Sequence, residues 1–470
     1  MHLHILGICG TFMGSMALLA KAMGHKVSGS DANIYPPMSE QLQQAGISIE
    51  EGYDPSQLKP SPDIVVVGNA LSRGNPCIEF MLEQKLPFTS GPQWLGDTLL
   101  RHRRVLSVSG THGKTSTSSM LAKILHSAGY NPGFLIGGVP QDFAVSSQLG
   151  GVAADGQSYF VIEADEYDTA FFDKRSKFVH YHSDILVINN LEYDHADIFD
   201  DLSAIQKQFH HCVRTVPRTG RVIYPDNDDA IKAVISQGCW SQQRCFGTDD
   251  ALWHYRLLSG DGSCFEVIYR DHQQELCGQV RWRHIGLHNV KNALAAIAAA
   301  SEVGVNLDQA CAALSEYIGV KRRMEVIYTD NGLTVYDDFA HHPTAIQTTL
   351  EGLRASINDA SILAVIEPRS ATMKMGIHTH DLSTSVAAAD QVFWYQNLAI
   401  DWDLTAVADA CSVSSTVSGN IDFLFDAVVQ AIETQLVDGR PMHIVIMSNG
   451  GFEGFHQRLA EHCRAVKGPL

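Results

Sequence analysis

Lys114 follows Gly110-Thr111-His112-Gly113 and precedes Thr115 and Ser116, inside the run R-V-L-S-V-S-G-T-H-G-K-T-S-T-S-S from Arg104 to Ser119. Val105, Leu106 and Val108 read as a buried strand, and the serines and threonines after Lys114 read as the start of a helix. Two glycines between them remove the Cβ atoms that would keep backbone N–H groups from closing on an anion. Lys114 supplies a point charge for β/γ-phosphates and Thr115 a hydroxyl for Mg²⁺. The spacing predicts ATP use. A standard phosphate loop has a further glycine where this chain has Val108, so the loop is a shortened one and a generic kinase or GTPase is disfavoured.

Two acidic strand ends accompany the loop. The strand Tyr159 to Ile162 runs into Glu163-Ala164-Asp165-Glu166, and Ile185 to Ile188 runs into Asn189-Asn190-Leu191-Glu192-Tyr193-Asp194-His195. Carboxylates suit a hard cation, so this pairing predicts a metal site beside the phosphates. His195 is a less usual magnesium partner on softness grounds. Further on, Gly286-Leu287-His288-Asn289-Val290-Lys291-Asn292 leads into an alanine-rich helix, and Asn289 and Asn292 read equally as helix-cap residues or as two amides on one face.

The elements that position these residues alternate strand and helix along the whole chain. From 1 to 102, an apolar strand from Leu3 to Leu6 meets Gly7, Gly10 and Gly14. A second strand then ends at Asp31, about twenty residues after the glycine turn. This is a nucleotide-binding opening, but its glycine spacing departs from the dinucleotide fingerprint, so a nicotinamide role is disfavoured. A third strand, Asp63 to Val67, runs into a loop carrying Asn69 and Arg73. From 103 to 320 the pattern repeats around the phosphate loop. From 321 to 470 it repeats again, with strand candidates Thr334 to Asp338, Ile362 to Ile366, Gln391 to Tyr395 and His443 to Met447.

At 470 residues the chain is too long for one core, and three α/β domains are expected. The net charge of -18, from 52 acidic against 34 basic residues, argues against nucleic acid or an anionic membrane as partner. Mean hydropathy of -0.05 and the lack of an apolar run near 18 residues predict a soluble cytoplasmic enzyme. Ten cysteines without a C-x-x-C pair read as reduced thiols.

Taken in order, the runs G-I-C-G-T-F-M-G from Gly7, G-T-H-G-K-T-S from Gly110, E-A-D-E from Glu163, Asp194-His195, H-N-V-K-N from His288 and D-D-F-A-H-H-P from Asp337 resemble the Mur ligase family across nearly the whole chain. These are ATP-dependent enzymes that form amide bonds in bacterial cell-wall precursors. The resemblance implies an N-terminal Rossmann-like domain for a UDP-sugar, a central ATPase-like parallel-sheet domain, and a C-terminal Rossmann-like domain that completes the ATP site and binds a peptide. Within the family, G-S-D-A-N-I-Y-P-P-M from Gly29, F-F-D-K-R-S-K-F-V-H-Y from Phe171 and E-P-R-S-A-T-M-K-M-G from Glu367 resemble a recycling branch. Its members join UDP-N-acetylmuramate to the tripeptide L-alanyl-γ-D-glutamyl-meso-diaminopimelate. The alternative is the branch that adds L-alanine.

The resemblance also implies roles. Lys114, Glu163 and His195 would be catalytic, and Thr115, Glu163 and His195 would hold Mg²⁺. Gly110, Thr111, His112, Gly113, Lys114, Thr115, Ser116, Asn289, Asn292, Arg323, Asp338 and His341 would contact ATP. Gly10, Thr11, Asp31, Asn69 and Arg73 would serve the UDP-sugar, and Arg369 and Lys374 the carboxylates of the peptide. Lys207 occupies the region where some members carry a carbamylated lysine, but its spacing from His195 is short and it reads as a solvated helix lysine. No obligatory protein partner is implied.

Overall fold

Three large sheets flanked by helices follow one another along the chain, with a two-stranded ribbon, Asp168–Ala170 with Asp173–Ser176, beside the second. The computed structural model describes residues 1–34, 38–330, 332–357, 359–437 and 439–465. Tyr35, Pro36 and Pro37 of the run from Gly29 to Met38 therefore lie outside the described residues.

The N-terminal sheet has five parallel strands in the order Ser48–Glu51, Lys26–Asp31, His2–Leu6, Ile64–Val67, Phe88–Ser90. Chain direction across the sheet reverses at His2–Leu6, so the loops after Leu6 and Val67 frame the crevice where such sheets take ligands.

The central sheet has ten strands. Its parallel part runs Trp253–Leu257, Gln242–Gly247, Arg221–Pro225, Ile185–Ile188, Arg104–Ser109, Tyr159–Glu163, Gly133–Leu135. Arg104–Ser109 lies in its middle, with only Arg104 less than fully buried; Val105, Leu106 and Val108 pack apolar, while the buried Ser107 and Ser109 hydroxyls bond Ser183 and the Val187 carbonyl. The alternating pattern stops at Trp253–Leu257, where Cys264–Arg270 and Glu275–Arg281 add two antiparallel strands. Their connections, Leu258 to Ser263 and Asp271 to Gln274, are too short for a crossover helix, which forces hairpins. The C-terminal sheet runs Glu325–Asp330, Leu333–Asp338, Met442–Met447, Ser361–Ile366, Gln391–Tyr395, Ser414–Ser418, antiparallel only at the first pair.

Domain contacts are of two kinds. The N-terminal and central domains share one apolar cluster that runs from Leu3 and Met16 through Val105 and Phe160 to Val234. Gly96 permits their contact, since a Cβ there would sit 2.1 Å from the His180 carbonyl oxygen. The C-terminal domain instead has its own apolar clusters, one on each face of its sheet. It meets the central domain through polar pairs such as Thr372 with Asp194 and Thr344 with Glu192. Among the described residues no helix is long and apolar enough to cross a membrane.

Candidate active site

The carboxyl ends of Arg104–Ser109, Tyr159–Glu163 and Ile185–Ile188 are neighbours, and together they bring the phosphate loop to both acidic strand ends. Gly110 has φ 128° and Gly113 φ 77°, values that L side chains resist. Space also excludes a side chain at Gly113, where a Cβ would lie 2.4 Å from Asn292 Oδ1. Asn190 shapes the loop: its Oδ1 accepts the His112 N–H at 2.7 Å and its carbonyl accepts the Thr111 N–H at 3.2 Å. The helix Lys114–Ser127 then starts with no side chain capping its N-terminus, so its first N–H groups face the cleft as an anion site.

Thr115 donates its hydroxyl to Glu163 Oε1 at 2.9 Å, while Gly137 N–H donates to Oε2 at 2.7 Å. Burial pushes the Glu163 carboxyl above its usual range, against the opposing pull of that N–H and of Lys114. A hydroxyl and a carboxylate side by side below an anion site are the oxygen donors that fit Mg²⁺.

Lys114 does not extend into open space. Its Nζ donates to the Gly110 carbonyl at 2.7 Å and to both oxygens of Glu166, at 3.1 and 3.0 Å. Burial opposes the ammonium charge, but Glu166, Asp165 and Glu163 outweigh it and hold its pKa above the ordinary lysine value. Glu166 also lies 2.8 Å from His195 Nε2. His195 has φ 56°, an unusual conformation for a histidine, and Asp194 Oδ1 accepts its N–H at 2.7 Å. Asp194 is held in turn by the Thr372 hydroxyl of the C-terminal domain at 2.6 Å. Lys177 pairs with Asp165 at 2.9 Å.

A cleft of about 2250 Å³ joins these groups to residues of all three domains, among them Thr11, Asn289, Asn292, Arg323, Asp338, His341 and Arg369. Asn292 packs on Gly113, whereas the Asn289 amide turns back to donate to the Ile285 carbonyl at 2.8 Å and closes its own helix start. Asp338 accepts the N–H groups of Met324 at 2.8 Å and Ala340 at 2.9 Å, so it fixes the interdomain connection as well as lining the cleft. Arg323 stacks its guanidinium 4.4 Å from the Phe339 ring. Burial lowers His341 to about 4, which leaves it neutral at pH 7.

Not every predicted contact reaches the cleft. Gly10 is the uncapped start of Thr11–Ala22, and Thr11 lines the cleft. Asp31 instead braces the glycine turn, its oxygens accepting the N–H groups of Cys9 and Asn33 at 2.8 and 3.0 Å. Asn69 and Arg73 do not line the cleft, and Arg73 is exposed and forked onto Glu79 at 2.9 Å. Arg369 lies against Gly450 in the cleft, whereas Lys374 sits at the end of the helix Ala371–Lys374 and outside it. Lys207 is exposed on Leu202–Val213.

Sequence reasoning named Asn190 and Glu192 only as part of a strand end, without a role of their own, and gave Thr372 no role at all. Asn190 and Glu192 had a visible signal, since both follow a strand that neighbours the phosphate strand. Thr372 had none, because its partner Asp194 is 178 residues away in the chain.

Family models match almost end to end: Mur ligase family catalytic domain over residues 2–103, Mur ligase middle domain over 108–300, and Mur ligase glutamate ligase domain over 322–450. A UDP-N-acetylmuramate--L-alanyl-gamma-D-glutamyl-meso-2,6-diaminoheptandioate ligase of Escherichia coli (strain K12) is 54% identical over 462 residues, 98% of each chain. A UDP-N-acetylmuramate--L-alanine ligase of Caldicellulosiruptor bescii is 32% identical over 390 residues, 82% of each chain. The crystal structure of a murein peptide ligase from Psychrobacter arcticus superposes with a TM-score of 0.75 at 50% identity, covering 100% of both chains. With a shortened phosphate loop, two acidic strand ends and three α/β domains in the same order, the chain belongs to the Mur ligase family.

Proposed function

We propose that this chain is an ATP-dependent ligase joining UDP-N-acetylmuramate to the tripeptide L-alanyl-γ-D-glutamyl-meso-diaminopimelate, in peptidoglycan recycling. The single observation that carries the substrate choice is the 54% identity, over 98% of both chains, to a ligase named for that tripeptide. The L-alanine-adding relative is more distant and aligns over less of the chain.

The site supports the chemistry. A carboxylate is a poor electrophile, and phosphorylation by ATP turns it into an acyl phosphate that the peptide amine attacks, with phosphate leaving. No protein nucleophile is needed, so catalysis rests on positioning and charge neutralisation. Lys114 turns its ammonium from Glu166 to the transferred phosphoryl, and the N–H groups at the start of Lys114–Ser127 hold the phosphates. Thr115, Glu163 and His195 would hold Mg²⁺, and the ion would neutralise phosphate charge. Arg323, Asp338 and His341 complete the nucleotide site from the other side, and Arg369 faces a peptide carboxylate. The domains divide the work at about residues 102 and 320, the first serving the UDP-sugar, the second ATP and the third the peptide. Because the C-terminal domain supplies part of the site, its closure keeps water from the acyl phosphate.

The deciding assay supplies ATP, Mg²⁺ and UDP-N-acetylmuramate with either the tripeptide or L-alanine and measures the amide product. Product with the tripeptide and little with L-alanine is expected. The reverse preference overturns the assignment.

A further inference from the structure

Apart from the phosphate site, a second cluster of ligating groups spans the domain boundary. We propose that His112, Glu192 and His342 form a site for a soft divalent transition-metal ion of the zinc class, bridging the central and C-terminal domains. One ligand atom from each residue lies within 4.8 Å of the other two. His112 Nε2 is 3.2 Å and His342 Nδ1 is 3.6 Å from the same oxygen, Glu192 Oε2. Around a tetrahedral zinc with bonds near 2.0–2.1 Å, neighbouring ligand atoms stand about 3.3 Å apart. Glu192 Oε2 already stands near that spacing from both imidazoles, and a ligand atom of each imidazole lies within 4.8 Å of the other's.

The surroundings agree with it. His342 is 5% exposed, so its Nδ1 faces Glu192 away from bulk water. The imidazoles pack ring to ring, His112 on His342 at 4.6 Å and His342 on His378 at 4.5 Å. A cavity of about 280 Å³, lined by Glu192, His342, Thr344, His378 and Asp381, reaches the cluster and has room for a water as fourth ligand. Among the described residues the competing contact of His342 Nδ1 is a long one, 3.3 Å, from the Thr344 N–H.

Ligand type separates this cluster from the magnesium position. Two imidazoles and one carboxylate suit zinc, whereas Mg²⁺ takes oxygens. Place gives it a consequence. His112 belongs to the phosphate loop, Glu192 follows the strand Ile185–Ile188, and His342 caps the helix Pro343–Ser356. The site is complete only when the two domains meet as they do here, so occupancy and closure favour each other.

Full-length protein stripped of metal is dialysed against Zn²⁺ with excess Mg²⁺ present, and bound zinc is counted by plasma mass spectrometry and titrated against a chelator. His342→Asn removes the imidazole but keeps a residue favoured as a helix cap. Glu192→Gln keeps an acceptor for Thr344. The parent is expected to hold one more zinc per chain than these variants, or to hold it about 100-fold more tightly. Co²⁺ in place of zinc should give the intense visible band of a tetrahedral ion in the parent and lose it in a variant that still melts like the parent. Equal zinc content and affinity in the parent and in every folded variant, no zinc in the parent, or a cobalt band that survives both substitutions overturns the proposal.

Discussion

Lys114 and Glu166 form a buried ion pair, Nζ to Oε2 3.0 Å, with side-chain exposures of 13% and 3%. The residue best placed to meet phosphate is thus held by a carboxylate that also grips His195. Breaking a buried pair from one side leaves an uncompensated charge, at a cost of about 3–5 kcal/mol. Lys114→Ala is therefore expected to lower stability by about 3 kcal/mol as well as abolish turnover. The double variant Lys114→Ala/Glu166→Gln should recover much of that stability and none of the activity. Thermal melts of the four proteins in the cycle read the coupling, and additive losses would show that the pair is not coupled.

Removing only the carboxylate charge separates binding from chemistry. Glu166→Gln takes a negative charge from beside an anion site and frees the ammonium, so ADP should bind about tenfold more tightly, about 1.4 kcal/mol. Turnover should fall, because Lys114 and His195 lose the group that orients them. Calorimetric titration with ADP alongside kcat tests this; weaker ADP binding would contradict it.

The phosphate strand, both acidic strand ends and the order of the domains were legible in the sequence because each depends on local pattern, an apolar run followed by a turn with ligating side chains. Side-chain use was less legible. Asp31, at the spacing expected of a ribose ligand, braces the Cys9 and Asn33 N–H groups, and Arg73 folds onto Glu79, because both find partners within their own domain. Thr372 was invisible for the opposite reason: its role exists only where two domains meet. Composition and spacing report what a segment does for itself, not what the tertiary structure asks of it.

The Thr372 hydroxyl bridges domains at 2.6 Å from Asp194 Oδ1, and both residues are buried. A hydrogen bond to a charged group is worth about 1.5–3 kcal/mol. Thr372→Val keeps the shape and deletes the bond, so closure should weaken. More ATP should be hydrolysed per amide formed, by about tenfold on that energy scale. The ratio of phosphate to ligated product is the measurement, and an unchanged ratio would show that closure does not depend on this contact.

Arg369 stands in the cleft, 3.8 Å from Glu367 Oε1 and 43% exposed at its side chain, so part of its fork is open to a ligand. Arg369→Ala should raise the KM for the tripeptide about tenfold or more while the KM values for ATP and UDP-N-acetylmuramate stay within about twofold. Equal changes in all three would point to a structural role instead.

His4 gives a pH signature far from the cleft. It is 1% exposed between the Ser28 and Ser30 hydroxyls, at 2.9 and 2.8 Å, and burial, with a smaller contribution from His2, lowers its pKa to about 4. In the unfolded chain it titrates near 6.5. Between those values the unfolded state binds a proton that the folded state refuses, so stability is complete above pH 6.5 and falls as pH drops toward 4. The loss from this one residue is about 3 kcal/mol. His4→Gln keeps a polar side chain there without the titration. Apparent urea midpoints measured from pH 7.5 to 4 should fall less steeply for the variant than for the parent, and parallel profiles would rule His4 out as a source of acid sensitivity.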